Sequence, residues 1–468
     1  MPQSILIQVG QCGNQIGSQF WNLALQEHAK NNTDGVYDES QSSFFRHVDP
    51  KNGMENIPIL NSQNPTFNSK IVHLKARGLM IDMEENVINQ ILSSPLNHLF
   101  DHRQIIKSNS GSGNNWAQGY HQYGNEFNDS ILNTLQKELE FCDSLQSFIL
   151  LQSLGGGTGS GLGSYITELI RNEFPNVYSF NTGIIPSIND DVVTSPYNSI
   201  LSLWKISNST DCLLPIDNNS LISIYEKITK SSKDIRKSAT SLIDNGDNQR
   251  KIYNQSQKNE AFKTMNNIVA NLLLNMTSSM RFEGSMNVDI NDIVTNLNPF
   301  PKLNMLTSSM TPFYVQNDLQ MTSKVIDQLF VDVFSPESQL LSINVKQSTF
   351  LASALIARGA IHVSDLRRNI EKIRKQLRFV PWNPDGWKTG LCDVPPLGQS
   401  HSVLSLSNNT ACWRIVQYLM TRFNKLYKRK AHLHHYTEYM DKSEFDEAKS
   451  SVQNMIQGYQ DIESQTVT

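Results

Sequence analysis

Residues 153–164, SLGGGTGSGLGS, contain six glycines in twelve residues, and this composition suggests that bare backbone approaches a ligand closely. The stretch follows an apolar run typical of a buried strand, residues 148–151. It precedes apolar residues spaced as on an amphipathic helix, which Pro175 ends. A helix N-terminus offers unpaired N–H groups and a partial positive charge, and glycines let such groups surround an anion. The order strand, glycine loop, helix therefore predicts a phosphate site in preference to a flexible surface turn.

Neither of two common phosphate-loop templates fits this stretch. A P-loop needs a lysine directly after its last glycine, and no lysine follows until Lys205. The dinucleotide fingerprint G-x-G-x-x-G needs a glycine at its sixth position, and every possible start puts another residue there. The string GGGTGSG at 155–161 is therefore a phosphate loop of another kind.

The composition of the whole chain argues against several classes of protein. A net charge of -4 over 468 residues gives no electrostatic support for nucleic-acid binding. Five cysteines are scattered without a C-x-x-C pair, which favours a reducing compartment over a zinc site or a disulfide framework. The first residues lack the basic region of a signal peptide, and no segment reaches the ~20 apolar residues that span a bilayer. We therefore expect a soluble intracellular protein that binds neither nucleic acid nor membrane.

Further strand-to-loop units accompany the glycine loop. Residues 5–9 predict a strand that leads into the glycine-rich stretch 10–17 and a helix. Residues 79–83 predict another strand, which ends in the acidic turn 82–85, and the small-residue loop 110–115 precedes a further helix. Alternating strands and helices indicate a doubly wound parallel sheet, in which ligands bind at the carboxyl ends of the strands. We expect all these loops at that edge.

The sequence pattern divides the chain into four parts. Residues 1–226 form the α/β domain with the phosphate loops. Residues 227–261 lose the apolar pattern and are interpreted as a mobile polar insertion. Residues 262–400 begin with a helix that is apolar over most of its surface, as expected of a helix buried between domains, and continue as a second α/β region. Residues 401–468 are interpreted as a helical layer on the outside of the molecule.

Several motifs resemble those of tubulins. They are QVGQCGNQIG at 8–17, GSGNN at 111–115, GGGTGSG at 155–161, IDN at 216–218 and KRKAHLH at 428–434. The resemblance covers nearly the whole chain. It implies a tubulin-like α/β fold, with a doubly wound parallel sheet in the nucleotide domain, a central buried helix, a second α/β domain and C-terminal helices.

Within the tubulins the chain most resembles the epsilon branch, with the delta branch as the nearest competitor. The features concerned are YDESQSSFFR at 37–46, MNNIVANLLLN at 265–275 and the enlarged loop before Phe262. This resemblance implies a GTP-binding protein of the cytoplasm and cytoskeleton that supports centriole and basal body assembly and doublet and triplet microtubules.

The implied partners are other tubulins: delta-tubulin, and alpha- and beta-tubulin of centriolar microtubules. Two alternatives stay open: a nucleotide-independent scaffold of the centriole and a self-sufficient GTPase switch.

The resemblance also implies which residues hold GTP or GDP and Mg²⁺. The backbone of Gly157, Thr158 and Gly159 would cradle the β- and γ-phosphates. Glu84 would hold a hydrated Mg²⁺, a hard cation that prefers oxygen ligands. The other implied positions are Gln11, Cys12, Gly113, Asn114 and Ser153 around the phosphates, Asp191 at the ribose, Asn218 and Asn266 at the guanine edge, and Phe262 on the base. An amide suits the guanine edge because it both donates and accepts hydrogen bonds.

One position on the ribose side departs from the family pattern. The glutamate usually found before PYN, here 196–198, is replaced by Ser195. A hydroxyl binds a ribose more weakly than a charged acceptor does, so we expect a lower affinity for GTP.

Catalysis is expected to need a partner. No lysine, arginine finger or water-positioning base lies beside the glycine loop in the sequence, and phosphoryl transfer depends on such groups. In tubulins a loop of the next subunit supplies the missing carboxylate, and NVDINDI at 287–293 matches that loop with Asp292 at the carboxylate position. The hypothesis is that Asp292 acts in trans on a partner's GTP, while the isolated chain hydrolyses GTP very slowly.

Overall fold

The computed structural model describes residues 2–49, 71–188, 190–237, 247–313 and 326–466, of which 231–237 and 247–259 are described by their backbone alone. The strands are β1 (Gln3–Val9), β2 (Phe45–Val48), β3 (His73–Ala76), β4 (Gly78–Asp82), β5 (Ile105–Lys107), β6 (Leu145–Ser153), β7 (Tyr178–Ile185), β8 (Cys212–Asp217), β9 (Leu306–Thr311), β10 (Thr349–Gly359), β11 (Arg378–Phe379), β12 (Trp387–Cys392) and β13 (His401–Asn409). The helices are α1 (Gly10–Asn31), α2 (Glu39–Ser42), α3 (Glu85–Leu92), α4 (Gly124–Glu140), α5 (Gly163–Glu173), α6 (Ser195–Ser209), α7 (Asn218–Lys237), α8 (Asp247–Met276), α9 (Ser278–Arg281), α10 (Ile290–Leu297), α11 (Ile326–Asp332), α12 (Val363–Arg374), α13 (Cys412–Lys428), α14 (Leu433–Thr437) and α15 (Ser443–Gln465). Among these described helices, none combines the length and the apolar character that crossing a bilayer requires.

The N-terminal half folds around a six-stranded sheet in which every pairing is parallel. The strand order is β5-β4-β1-β6-β7-β8, so the chain starts in the middle of the sheet and proceeds to both edges. Its central strands are apolar and buried on both faces, as expected of a parallel sheet covered by helices. Helices α1 and α8 pack on one face and α4 and α5 on the other. The doubly wound sheet predicted from the sequence is confirmed.

Helix α8 runs through the middle of the molecule. The apolar side chains of its second half are buried, and this half contacts α1, β10 and β13. It therefore joins the first sheet to the second, and the predicted central buried helix is confirmed.

A second sheet holds β9, β13 and β10 in antiparallel order, and β11 and β12 pair with β10 in parallel. Since β13 belongs to this sheet, the C-terminal helical region begins at Cys412, which corrects the predicted boundary at residue 401. Helices α13 and α15 pack against α6 of the first domain through a continuous apolar layer. The C-terminal helices therefore cover the nucleotide domain.

The predicted polar insertion at 227–261 is corrected in its described parts. Helices α7 and α8 extend into it from both sides, so both ends of the segment are helical. The first end is helical because Leu221, Ile224 and Ile228 continue an apolar face against the core. Residues 238–246 lie outside the described residues.

Candidate functional site

A cavity of about 390 Å³, here called the sheet-edge cavity, lies where β1, β4 and β6 end and where α7 and α8 pass. Its wall contains every residue that was predicted to hold cofactor or metal except Asp191. These residues are Gln11, Cys12, Glu84, Gly113, Asn114, Ser153, Gly157, Thr158, Gly159, Asn218, Phe262 and Asn266. Segments far apart in sequence thus meet at the edge where a doubly wound sheet binds its ligands. The individual roles of these residues stay predictions.

The glycine loop and the start of α1 lie against each other without side chains between them. A Cβ atom on Gly10 would lie 2.9 Å from the backbone nitrogen of Gly159, and the φ of Gly10 is +72°, which favours glycine. A Cβ atom on Gly157 would lie 2.3 Å from Oγ of Ser112. Because these glycines carry no side chains, backbone N–H groups of neighbouring loops can approach one anion together.

The first turn of α1 adds a partial positive charge to the cavity. This turn contains no acidic residue, and Gln11 and Cys12 contribute to the cavity wall. A helix N-terminus of this kind stabilises an anion. Burial raises the pKa of the Cys12 thiol to about 12, so Cys12 is a neutral thiol at physiological pH and not a nucleophile.

The loop at 110–115 is fixed against the glycine loop. The hydroxyl groups of Ser112 and Thr158 share a hydrogen bond of 3.0 Å. Gly113 and Asn114 have φ angles of +53° and +54°, in the left-handed region that glycine and asparagine tolerate best. The loop thereby brings both residues to the cavity wall.

Two carboxylates line the cavity where β4 ends. Glu84 was predicted, whereas Asp82 was missed although it opens the acidic turn at 82–85. Burial raises the pKa of Asp82 to about 6, and its Oδ2 atom has no hydrogen-bond partner among the described residues. A buried carboxylate oxygen is costly unless a cation or a donor satisfies it.

These oxygens are the donors that a hydrated Mg²⁺ prefers. Within the described ranges there is no group of three or more His, Cys, Asp or Glu side chains placed to hold a metal. A cation at Asp82 and Glu84 would therefore take further ligands from phosphate and water. The residues present fit such a cation.

The part of the wall formed by α7 and α8 combines amides with apolar side chains. Asn218 begins α7, and Asn266 lies one turn after Phe262 on α8. Phe262 exposes 55% of its surface, although it belongs to a helix whose second half is buried. An exposed ring beside two amides offers a planar base both a stacking surface and hydrogen bonds.

The two residues predicted on the ribose side lie outside the described wall of the cavity. Asp191 is exposed and is absent from the described wall of the cavity, whereas its neighbours Asp190 and Val192 belong to the wall. Ser195 is fully buried at the start of α6 and also lies outside that wall. Burial raises the pKa of Asp190, as expected for a carboxyl group turned into a partly closed cavity.

Asp292 lies away from the cavity, on α10. Its carboxylate forms an ion pair of 3.1 Å with Lys388 and accepts a long hydrogen bond of 3.4 Å from the backbone nitrogen of Asp289. Asp289 is also hydrogen bonded by the side chain of Gln146, which lies at the start of β6. From Gln146 the remaining eight residues of β6 extend about 26 Å to the glycine loop. Asp292 therefore cannot reach the cavity of its own chain.

Comparison with protein families and with known proteins agrees with this geometry. Residues 3–226 match the family described as "Tubulin/FtsZ family, GTPase domain", and residues 301–421 match "Tubulin C-terminal domain". The chain is 49% identical to the human protein named "Tubulin epsilon chain", over 99% of this chain and 97% of that protein. This chain belongs to the tubulin family.

Within the tubulin family the similarity differs between branches. The mouse protein "Tubulin epsilon chain" is 48% identical over 99% of this chain and 97% of that protein. The "Tubulin beta-2 chain" of Suillus bovinus is 31% identical over 98% of this chain and 96% of that protein. The predicted resemblance to the epsilon branch and the predicted tubulin fold are confirmed, and the sheet-edge cavity is built mainly from the tubulin GTPase domain.

Proposed function

We propose that this tubulin binds GTP and GDP in the sheet-edge cavity and works as an epsilon-tubulin-like subunit of the cytoskeleton. The observation that carries the proposal is the meeting of the glycine loop, the N-terminus of α1 and two amides on one cavity of a GTPase-domain family. The backbone of Gly157, Thr158 and Gly159 binds the β- and γ-phosphates, because bare N–H groups and the α1 dipole favour anions there.

The base and the metal use the remaining parts of the wall. Asn218 and Asn266 hydrogen bond the guanine edge while Phe262 stacks on the ring. Glu84, together with Asp82, holds a hydrated Mg²⁺ bound to the phosphates. The unpartnered Oδ2 atom of Asp82 supports this assignment.

Hydrolysis by the isolated chain is expected to be slow. Among the described residues the cavity wall holds no lysine or arginine that could stabilise charge on the γ-phosphate. Asp292 lies by the amino ends of the sheet, so it can act only on the nucleotide of a neighbouring subunit. In a head-to-tail assembly, one neighbouring subunit would complete this cavity, and the neighbour at the opposite end would receive Asp292 at its own cavity. The position of Asp292 away from its own cavity, and the absence of lysine and arginine from the described cavity wall, favour an assembly subunit over a self-sufficient GTPase switch.

Exposed apolar side chains in two places support assembly, one pair in the second domain near α10 and one pair beside the cavity. Shortly after α10, Phe300 packs edge to face against Trp382 with ring centroids 5.8 Å apart, yet the two residues expose 44% and 55% of their surface. Near the cavity, Ile188 and Val193 expose 57% and 62%. Large exposed apolar side chains mark protein interaction sites, and head-to-tail association would cover both pairs.

We further propose a role in centriole and basal body assembly and in doublet and triplet microtubules, including those of the centrosome and cilium. The support is the similarity along nearly the whole chain to the human and mouse proteins named "Tubulin epsilon chain". The proposed partners are other tubulins, with delta-tubulin first and alpha- and beta-tubulin of centriolar microtubules next.

The deciding experiment measures bound nucleotide and turnover on the purified chain. The nucleotide is extracted and identified by chromatography, and phosphate release is then followed against protein concentration. We expect guanine nucleotide with negligible turnover at every concentration. Turnover at low concentration would support the switch, and a chain without nucleotide would support the nucleotide-independent scaffold.

Base recognition is tested with two variants of the same helix. Asn266→Ala should lower the preference for GTP over ATP by about fivefold or more, since a lost hydrogen bond to a ligand costs roughly 1–3 kcal/mol. Asn271→Ala is the matched control, because its amide donates to the carbonyl of Asn267 at 2.9 Å and lies outside the described wall of the cavity. Equal effects of the two variants would count against the proposed base contact.

A further inference from the structure

The side chain of Asn198 connects the two loops that meet at the sheet-edge cavity. Its Nδ2 atom donates to the carbonyl of Asn114 at 2.9 Å and to the carbonyl of Gly155 at 2.8 Å. Asn114 belongs to the loop at 110–115, and Gly155 begins the glycine loop. Asn198 and Gly155 are buried, so the carbonyl of Gly155 would have little access to water if it lost this donor, whereas the carbonyl of the exposed Asn114 also accepts from Oγ1 of Thr194 at 3.4 Å.

The other end of the same amide is fixed by the C-terminal region. The Oδ1 atom of Asn198 accepts from the hydroxyl of Tyr436 on α14 at 2.5 Å and from the backbone nitrogen of Trp116 at 3.1 Å. With two bonds donated and two accepted, the full capacity of the amide is used. The hydroxyl of Tyr436 therefore helps to fix which way the amide faces, and so which atoms it offers to the two loops.

Two more hydrogen bonds join the same parts of the molecule. Asn115 donates from Nδ2 to the carbonyl of His435 at 2.7 Å, and Tyr197 donates from its hydroxyl to the carbonyl of Ala431 at 3.0 Å. The loop at 110–115 and the start of α6 are thus attached to the segment that contains α14. Asn198 and Tyr436 themselves lie outside the described cavity wall, so any effect on a nucleotide must pass through the loops.

We propose that Asn198 and Tyr436 are positioning residues. They hold Asn114 and the glycine loop in the relative position that binds the γ-phosphate. This inference rests on the proposed function and adds the C-terminal helices to it. GDP lacks the γ-phosphate, so a loop at 110–115 that is no longer fixed weakens GTP binding more than GDP binding. The preference of this chain for GTP over GDP is thereby coupled to the C-terminal helices.

The test compares two tyrosines of the C-terminal layer. Tyr436→Phe removes the hydroxyl that fixes Asn198 and should lower the ratio of GTP affinity to GDP affinity by about five- to tenfold, mainly through weaker GTP binding. The ratio is measured by displacement of a fluorescent guanine nucleotide from the full chain. In the matched control, Tyr459→Phe, the lost hydroxyl accepts from the backbone nitrogen of Met305 at 3.1 Å and donates to Oδ1 of Asn408 at 3.4 Å. This control should lower the melting temperature but leave the affinity ratio unchanged.

A second variant makes the test independent of the tyrosine. Asn198→Asp keeps the size of the side chain but cannot donate to both loop carbonyls, so it should lower the same ratio. When Asn198→Asp is combined with Tyr436→Phe, the free-energy difference between GTP and GDP binding should change by less than the sum of the two single changes. Both substitutions act on one contact network.

The outcomes separate this inference from the proposed function. Wild-type protein that binds no guanine nucleotide overturns the proposed function. Wild-type protein that prefers GTP, together with a Tyr436→Phe variant whose ratio matches that of Tyr459→Phe, overturns the positioning role alone.

Discussion

Arg281 donates from Nη1 to Oε2 of Glu27 across 2.7 Å, and both side chains are almost completely buried. A second guanidinium group, that of Arg358, donates to Oε1 of the same carboxylate at 3.0 Å. Glu27 belongs to α1, Arg281 to α9 after the central helix, and Arg358 to β10 of the second sheet. One buried carboxylate therefore connects the nucleotide domain, the segment after the central helix and the second domain.

Replacing Glu27 by glutamine leaves two buried guanidinium groups without a carboxylate. We expect Glu27→Gln to lower the free energy of unfolding by about 3–5 kcal/mol, because breaking a buried ion pair leaves uncompensated charge. Denaturant titration measures this loss. Glu371→Gln is the control, since it breaks an exposed pair of 3.4 Å with Arg367 that should contribute little. Similar losses of unfolding free energy in both variants would contradict a stabilising role of the buried ion pairs of Glu27.

The same ion pair predicts a dependence of stability on pH. Burial alone would raise the pKa of Glu27, but the two arginines outweigh it and hold the pKa below its usual range. A carboxyl group with a depressed folded-state pKa stabilises the protein above its unfolded pKa, and this contribution is lost as pH falls through the folded pKa. The stability of the wild-type protein should therefore fall more steeply in acid than that of Glu27→Gln. If the stability of the two proteins depends on pH in the same way, Glu27 is not the source of the acid sensitivity.

Two neighbouring glycines of the phosphate loop should respond differently to a methyl group. A Cβ atom on Gly157 would lie 2.3 Å from Oγ of Ser112 and 2.6 Å from the backbone nitrogen of Asn115, so Gly157→Ala must displace the loop at 110–115. A Cβ atom on Gly156 would meet nothing nearer than 3.9 Å, the distance to Oδ1 of Asn114. We expect Gly157→Ala to lower the melting temperature by several degrees, as overpacking of ~1–3 kcal/mol does, and Gly156→Ala to leave it nearly unchanged. Thermal unfolding of both variants checks this order.

Asp82 predicts a dependence of Mg²⁺ binding on pH. Since burial raises its pKa to about 6, Asp82 loses its charge as pH falls through 6. The gain in GTP affinity on adding Mg²⁺ should therefore shrink between pH 7 and pH 5, and it should be small at every pH in Asp82→Asn. The measurement is nucleotide displacement with and without Mg²⁺.

The control for this prediction is the nearby Glu85→Gln. Glu85 pairs with Lys107 at 3.0 Å and lies outside the described wall of the cavity, so its replacement should leave the Mg²⁺ effect and its pH profile intact. If Glu85→Gln flattens the profile as Asp82→Asn does, the effect comes from general surface charge instead of from Asp82.

The loops around the cavity were predictable because each follows an apolar run typical of a buried strand and is itself rich in glycine or other small or polar residues. The glycine loop after β6 and the helix that begins at Gly10 are of this kind, and periodicity alone locates both. Asp82 was missed because its unpartnered oxygen depends on burial, which the acidic turn at 82–85 does not reveal.

Other misses arose where no periodic pattern sets the register. Asp190 lines the cavity whereas Asp191 does not, and the motif match that selected Asp191 could not distinguish between these two neighbours. The strand β13 was assigned to the helical region because its partners, β10 and β9, lie far away in sequence and leave no local signal. The helical ends of the segment 227–261 were missed because their polar composition is typical of loops.

The catalytic hypothesis for Asp292 can be tested without disturbing the chain's own cavity. Asp292→Ala should bind GTP as the wild type does, because about 26 Å of β6 separates the contact beside α10 from the glycine loop. It should stimulate GTP hydrolysis by a partner tubulin about 10²-fold less, as expected for loss of a group that orients water.

Two further variants separate the carboxylate from its surroundings. Lys388→Ala removes the 3.1 Å ion pair but keeps the carboxylate, so it should preserve most of the stimulation. Asp292→Glu keeps the carboxylate on a side chain that is longer by one methylene group, and it should restore or exceed wild-type stimulation. Phosphate release from mixtures of chain and partner measures all three variants. Full stimulation by Asp292→Ala would remove Asp292 from the mechanism, because no other change in that variant could supply the missing carboxylate.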